Sequence, residues 1–192
     1  MPLGKEKIQL IFVGSGPAKE RLLPRNMSAA EKSETRKELE KRRSDRLAQT
    51  AKSISQILTP RTKLLVASAP THLARDAASF FINNPDIKRN ADIEGPVLTY
   101  NLSVEAFDRI VQTEGSSDQW LVSMLALAHQ AVEAAQADEE PAMLCVHSSG
   151  DFAAQIATKT PLELGFPIAT GQSGVNQVAV EFSKYADTFA LR

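Results

Sequence analysis

The sequence predicts an α/β fold: a three-layer sandwich with a mostly parallel central sheet and helices on both faces. Two observations carry this. Short, continuous apolar runs end in turn residues, as strands buried on both faces do. Between them lie longer stretches whose apolar residues recur at steps of three and four, the period of a helix with one buried face. Regular alternation of the two favours parallel strands joined by helical crossovers.

The first strand is Ile8 to Val13, which runs into Gly14-Ser15-Gly16-Pro17. Residues 28–46 then form a charged helical excursion with seven basic and five acidic side chains. Ser28 and Glu31 have the spacing of a capping box, and Glu38 and Arg42 stand at i,i+4. The stretch reads as a solvated helix, with Lys41-Arg42-Arg43 and Arg46 as a basic rim toward an anionic partner. Leu47, Ala51, Ile54 and Leu58 paint one helical face, before a second strand at Leu64-Leu65-Val66-Ala67 that ends in Ser68-Ala69-Pro70. Leu73, Ala74, Ala77 and Phe81 mark the next helix. Pro96 to Tyr100 is a more ambiguous strand.

Two helices follow. One starts at the N-cap Ser103 with Val104, Phe107, Ile110 and Val111; the other carries Leu121, Leu125, Ala128 and Val132. A strand at Ala142 to Val146 ends in His147-Ser148-Ser149-Gly150 and leads into a helix. Val175 to Phe182 alternates, with Val178, Val180 and Phe182 on one face, as an antiparallel or edge strand does. With no repeats and no low-complexity linker, residues 1–192 read as a single domain.

Composition narrows the function. The chain has 192 residues, with 22 Lys plus Arg against 23 Asp plus Glu. A net charge of −1 gives no global attraction to nucleic acid or acidic membrane. No run of about 18 apolar residues is present to span a bilayer. Cys145 is the only cysteine, which rules out an internal disulfide and a Cys-rich zinc site. The start of the chain offers no signal-peptide pattern, so a cytoplasmic location is expected. No cofactor and no metal are expected. Cys145, His147 and His72 do not make a ligand set, and Cys145 reads as a small buried hydrophobe.

In an open parallel sheet, ligands bind at the carboxyl ends of the strands. Here those ends are Gly14-Ser15-Gly16, Ser68-Ala69-Pro70 and His147-Ser148-Ser149. A dinucleotide fingerprint at Gly14 to Pro17 would need a small residue at position 19 and an acidic residue at the end of a following strand. Position 19 is Lys, and a charged helix follows. A serine hydrolase would need Ser15 in a Gly-x-Ser-x-Gly elbow with a base such as His147 or His72, and the elbow spacing is absent. Helix N-termini beside Ser15, Ser68, Ser148 and Ser149 could hold an anion without catalysis.

Taken together, these segments resemble the histidine phosphatase (phosphoglycerate mutase-like) superfamily, especially its small bacterial phosphohistidine phosphatases. Members begin with a strand ending Arg-His-Gly; here the strand ends Gly14-Ser15-Gly16. Ser44 to Ala51 is similar to the family's helix before the second strand, without its glycine. Ala69-Pro70-Thr71-His72-Leu73-Ala74-Arg75-Asp76-Ala77-Ala78 follows the rhythm of its Ser-Pro-x-x-Arg-Ala segment, and Leu144 to Phe152 that of its late Val-x-His strand. Pro167 to Gly171 looks like the closing segment. The resemblance covers most of residues 8–182.

The family's chemistry uses a histidine nucleophile that becomes phosphohistidine, a second histidine and two arginines that neutralise the phosphoryl oxygens. By this resemblance the first arginine falls on Gly14, the nucleophile on Ser15, the motif's glycine on Gly16, the second arginine on Leu73 and the second histidine on Ser148. All four chemical positions are replaced. The resemblance therefore implies a catalytically inactive relative with a binding or regulatory role, meeting a protein partner or a second copy, with an anion in the remnant pocket. One alternative is a phosphatase that uses the displaced groups His72, Arg75 and His147; another is a nucleotide or small-anion binder at Gly14 to Pro17. Two residues along a helix is about 200° of rotation, so Arg75 is expected to point away from the Leu73 position.

Overall fold

A computed structural model describes residues 7–15, 26–100, 119–147, 168–170 and 175–181. Its side chains at 119–122, 125, 168–170 and 176–181 are outside the description, as are the predicted helix after Ser103 and the positions Gly16 and Ser148. The elements run β1 (Lys7–Gly14), α1 (Ala29–Ile57), β2 (Thr62–Ser68), α2 (His72–Asn83), α3 (Pro85–Asn90) and β3 (Asp92–Thr99). Then come α4 (Gln119–Ala134), β4 (Glu140–His147), β5 (Ile168–Thr170) and β6 (Val175–Glu181).

The six strands make one sheet in the order β3-β2-β4-β1-β6-β5. β3, β2, β4 and β1 are parallel, and β6 runs antiparallel to both β1 and β5. The apolar runs occupy the centre: every residue from Pro141 to His147 in β4 is buried, as are Leu10 to Val13 in β1 and Leu64 to Ser68 in β2. Crossing from β1 to β2 and from β2 to β3 moves in one direction along the sheet, and crossing to β4 moves back. Right-handed crossovers then put α1, α2 and α3 on one face and α4 on the other. Correspondingly, α1, α2 and α3 touch one another, while α4 packs on β1, β2 and β4. Among the described residues no helix is long and apolar enough to cross a membrane.

Four elements differ from expectation. The charged excursion and the amphipathic stretch after it are one continuous helix of 29 residues. Its buried residues all lie in the second half, at Leu47, Ala51, Ile54 and Ser55. The ambiguous third strand is real and starts earlier, at Asp92. Its pairing with β2 shifts register between Leu65 and Ala67, where Gly95 takes φ 64° and Pro96 contributes no amide. A bulge of this kind suits an edge strand. Lys63 anchors that edge through Asp92 at 2.5 Å and Glu94 at 2.9 Å, and these carboxylates hold its ammonium well above the usual lysine range. Finally, α3 and β5 are short elements that the apolar periodicity did not mark.

The capping box at the start of α1 is formed in both directions. The Ser28 amide donates to Glu31 Oε2 at 2.8 Å, and the Glu31 amide donates to Ser28 Oγ at 3.3 Å. The Ser28 hydroxyl also donates to Glu31 Oε2 at 2.6 Å, and this bond, with that of the Ser28 amide, holds the Glu31 carboxyl below its ordinary pKa. Glu38 and Arg42 form the expected i,i+4 pair. Ser28→Ala should cost about 1 kcal/mol of helix stability. Because this end does not pack on the sheet, the loss should appear as faster amide exchange over the first turns of α1, with the global unfolding midpoint nearly unchanged. An equal loss of protection at Ile54 would contradict that.

Candidate functional site

The carboxyl ends of the parallel strands meet along one edge of the sheet, and backbone pairing continues one residue beyond them. The Ser15 amide donates to the His147 carbonyl at 2.7 Å, Ala69 to Val146 at 2.9 Å and Tyr100 to Ser68 at 2.9 Å. This draws Ser15 and Tyr100 into the interior. Ser15, Ser68, His147 and Tyr100 are all at most 1% exposed.

Strand alternation then decides which side chains meet. Register pairs Phe12 and Ala67 with Cys145, and Val13 and Ser68 with Val146. His147 therefore shares the face of Cys145, and Ser68 lies on the other face. The His147 imidazole packs edge-on to Tyr100, with ring centroids 5.3 Å apart and planes at 65°. The Tyr100 hydroxyl donates to the Val146 carbonyl at 3.2 Å. Burial pushes the His147 pKa down to about 3, and pushes the Tyr100 hydroxyl and Cys145 thiol up. The imidazole is thus neutral at pH 7. Ser68 Oγ is buried with no hydrogen-bond partner among the described residues.

Among the described residues, one cation hydrogen-bonds to this edge, and it comes from the charged half of α1. Arg43 is half-buried. Its Nε donates to the Ser15 carbonyl at 3.2 Å and its Nη2 to the Leu73 carbonyl at 3.0 Å. A single guanidinium therefore ties α1 to the end of β1 and to the first turn of α2. Thr71 caps that turn by accepting from the Ala74 amide at 3.3 Å.

Gly14 ends β1, Ser15 follows it in the interior, and Leu73 sits half-buried at the start of α2. Arg43 thus brings Ser15 and Leu73 into one hydrogen-bonded unit through their backbones. The three displaced polar groups are not brought together. His72 is exposed and turns back along its own helix, with Nδ1 2.9 Å from Asp76 Oδ2. Arg75 is exposed on α2, and His147 is in the core. His129 lies on the surface of α4, 3.5 Å from Glu133.

The chemistry open to these groups is narrow. A general base works best with a pKa near the operating pH, and an imidazole at about 3 is far from it. Cys145, as its high pKa implies, is held as the thiol, which is a poor nucleophile and metal ligand. Among the described residues no group of His, Cys, Asp and Glu is placed to hold a metal ion. Arg43 has a signal in the sequence, because it stands four residues before Leu47 and so on the same helical face. Tyr100 has none, since its partners lie 46 and 47 positions further along the chain.

No family model, no curated protein and no solved structure matches the chain.

Proposed function

We propose that this is a non-catalytic, histidine-phosphatase-like protein, with a phosphoglycerate mutase-like sheet, that acts by binding. One observation carries the reading: among the described residues, the carboxyl edge of the parallel sheet, where an α/β enzyme keeps its reacting groups, holds a buried apolar and neutral-polar set. Ser15 meets His147 through its backbone amide, and the imidazole is held neutral against Tyr100. Neither arrangement activates a nucleophile. The segments on which the family's nucleophile and arginines fall, Gly14, Ser15 and Leu73, adjoin one another, which supports the resemblance without restoring its chemistry. Arg43 is the one guanidinium among the described residues that bonds to this edge, and it supports backbone there.

The test is turnover of a phosphomonoester and of a phosphohistidine peptide by the purified protein and its Ser15→Ala variant. Both should show the same background hydrolysis. Turnover by the parent chain that disappears in Ser15→Ala would overturn the reading.

A further inference from the structure

Among the described residues, the fork that holds Arg43 engages one edge of its guanidinium. Nε and Nη2 form the side edge, and both point to backbone carbonyls. The end edge, made of Nη1 and the second N–H of Nη2, meets no partner among the described residues. Carbonyl oxygens carry partial charge, so they orient the guanidinium without neutralising it. Among the described residues, the ion pairs of α1 include Arg42 with Glu38 and none to Arg43. A half-buried, oriented cation with no carboxylate against it among the described residues is an unusual thing to keep, since burial penalises an unpaired charge.

The rest of the helix adds to this. At about 100° per residue, Lys32, Arg36 and Arg43 fall within about 40° of each other, in line with the buried stripe that starts at Leu47. Arg43 marks the level of the strand ends, so the roughly 14 residues of α1 before it extend about 20 Å past the sheet. The basic line thus lies on the side of that extension that continues the core-facing stripe. Glu31, Glu34, Glu38 and Asp45 cluster within about 60° on the opposite side. The helix is therefore polarised in part: Lys32, Arg36 and Arg43 line the side toward the strand ends, with Glu40 about 60° from Arg43 on that side, while the other four acids lie opposite and Lys37, Lys41 and Arg42 point elsewhere.

We propose that the end edge of Arg43, backed by Arg36 two turns earlier on the same face, binds an oxyanion group, phosphoryl or carboxylate, above the carboxyl ends of β1 and the start of α2. Two oxygens of such a group match the two parallel N–H donors of the end edge. The proposal deepens the binding reading and rests on it for the location of the site. It differs in its source of charge, which is α1 rather than the strand-end turns.

Titration with inorganic phosphate and with acetate, followed by amide and arginine side-chain NMR at constant ionic strength set with chloride, tests it. Saturable shifts at Arg43, Ser15 and Leu73 are expected with at least one of the two anions, and the stronger one identifies the oxyanion class. Arg43→Gln should weaken binding about ten-fold or more, as loss of charge-assisted hydrogen bonds does. Exposed Arg36→Gln, which touches no structural contact given above, should weaken it several-fold while the fold stays intact. No saturable shift with either anion, or binding that both variants leave unchanged, overturns the proposal. Hydrolytic activity plays no part in this readout, so turnover would sink the non-catalytic reading alone, and absence of binding would sink this proposal alone.

Discussion

Phe12→Ala is expected to destabilise the protein by about 3–5 kcal/mol, measured as a lowered midpoint in urea with an unchanged slope. Phe12 lies in β1, the strand between β4 and β6, and has no exposed surface. Its neighbours in register are Cys145 on one side and Asn176 on the other. Removing the ring leaves a cavity in a sheet interior that backbone pairing on both flanks keeps from collapsing. Domains of this size hold about 5–15 kcal/mol in total, so the variant would lose a large part of its stability. A loss below about 1.5 kcal/mol would mean that the ring is not packed in the core as described.

Acid should weaken the fold through His147. In the unfolded chain this imidazole takes up a proton near its ordinary value of 6.5, and in the folded protein only near pH 3. Between those values the unfolded state binds the extra proton, so protonation favours unfolding. The stability that His147 confers as a neutral group is complete above 6.5 and falls as pH drops toward 3. The slope is about 1.4 kcal/mol per pH unit while the difference of one proton persists. Carboxylates add their own acid dependence, and they are the same in a His147→Gln variant. The parent should therefore lose stability more steeply than His147→Gln between pH 6 and 4, by roughly that slope in denaturant titrations. Parallel curves for the two proteins would show that the imidazole titrates normally and is open to water.

These two positions illustrate what the chain reveals in one dimension. Phe12 sits in an uninterrupted apolar run, and such a run is legible as a buried strand wherever it falls. The same holds for Leu64 to Ala67 and Ala142 to Val146, and the alternation after Val175 matches the antiparallel pairing of β6. The early half of β3 was hidden because Asp92, Glu94, Gly95 and Pro96 interrupt the pattern, as residues protecting a sheet edge do. A three-residue strand such as β5 is too short to show any period.

The charged run illustrates the opposite case. Its capping box and its Glu38–Arg42 pair were readable, because both depend on neighbours three and four residues away. That it continues without a break into the helix at Leu47 was not, since solvated and packed turns differ in composition but not in backbone. Nor was the role of Arg43, whose partners are 28 and 30 residues distant.

By itself, then, the sequence determined the alternation of strands and helices, the three buried apolar runs of β1, β2 and β4, and the cap at Ser28. Those features follow from local periodicity, turn residues and contacts a few positions apart. Only the tertiary structure decided what occupies the carboxyl ends of those strands: His147 neutral against Tyr100, Ser15 tied through its backbone, and His72 turned to solvent. It also decided that a guanidinium from α1 stands there. The physical reason is that burial, register and long-range hydrogen bonds set the protonation and direction of a side chain, and none of these is a property of its neighbours in sequence.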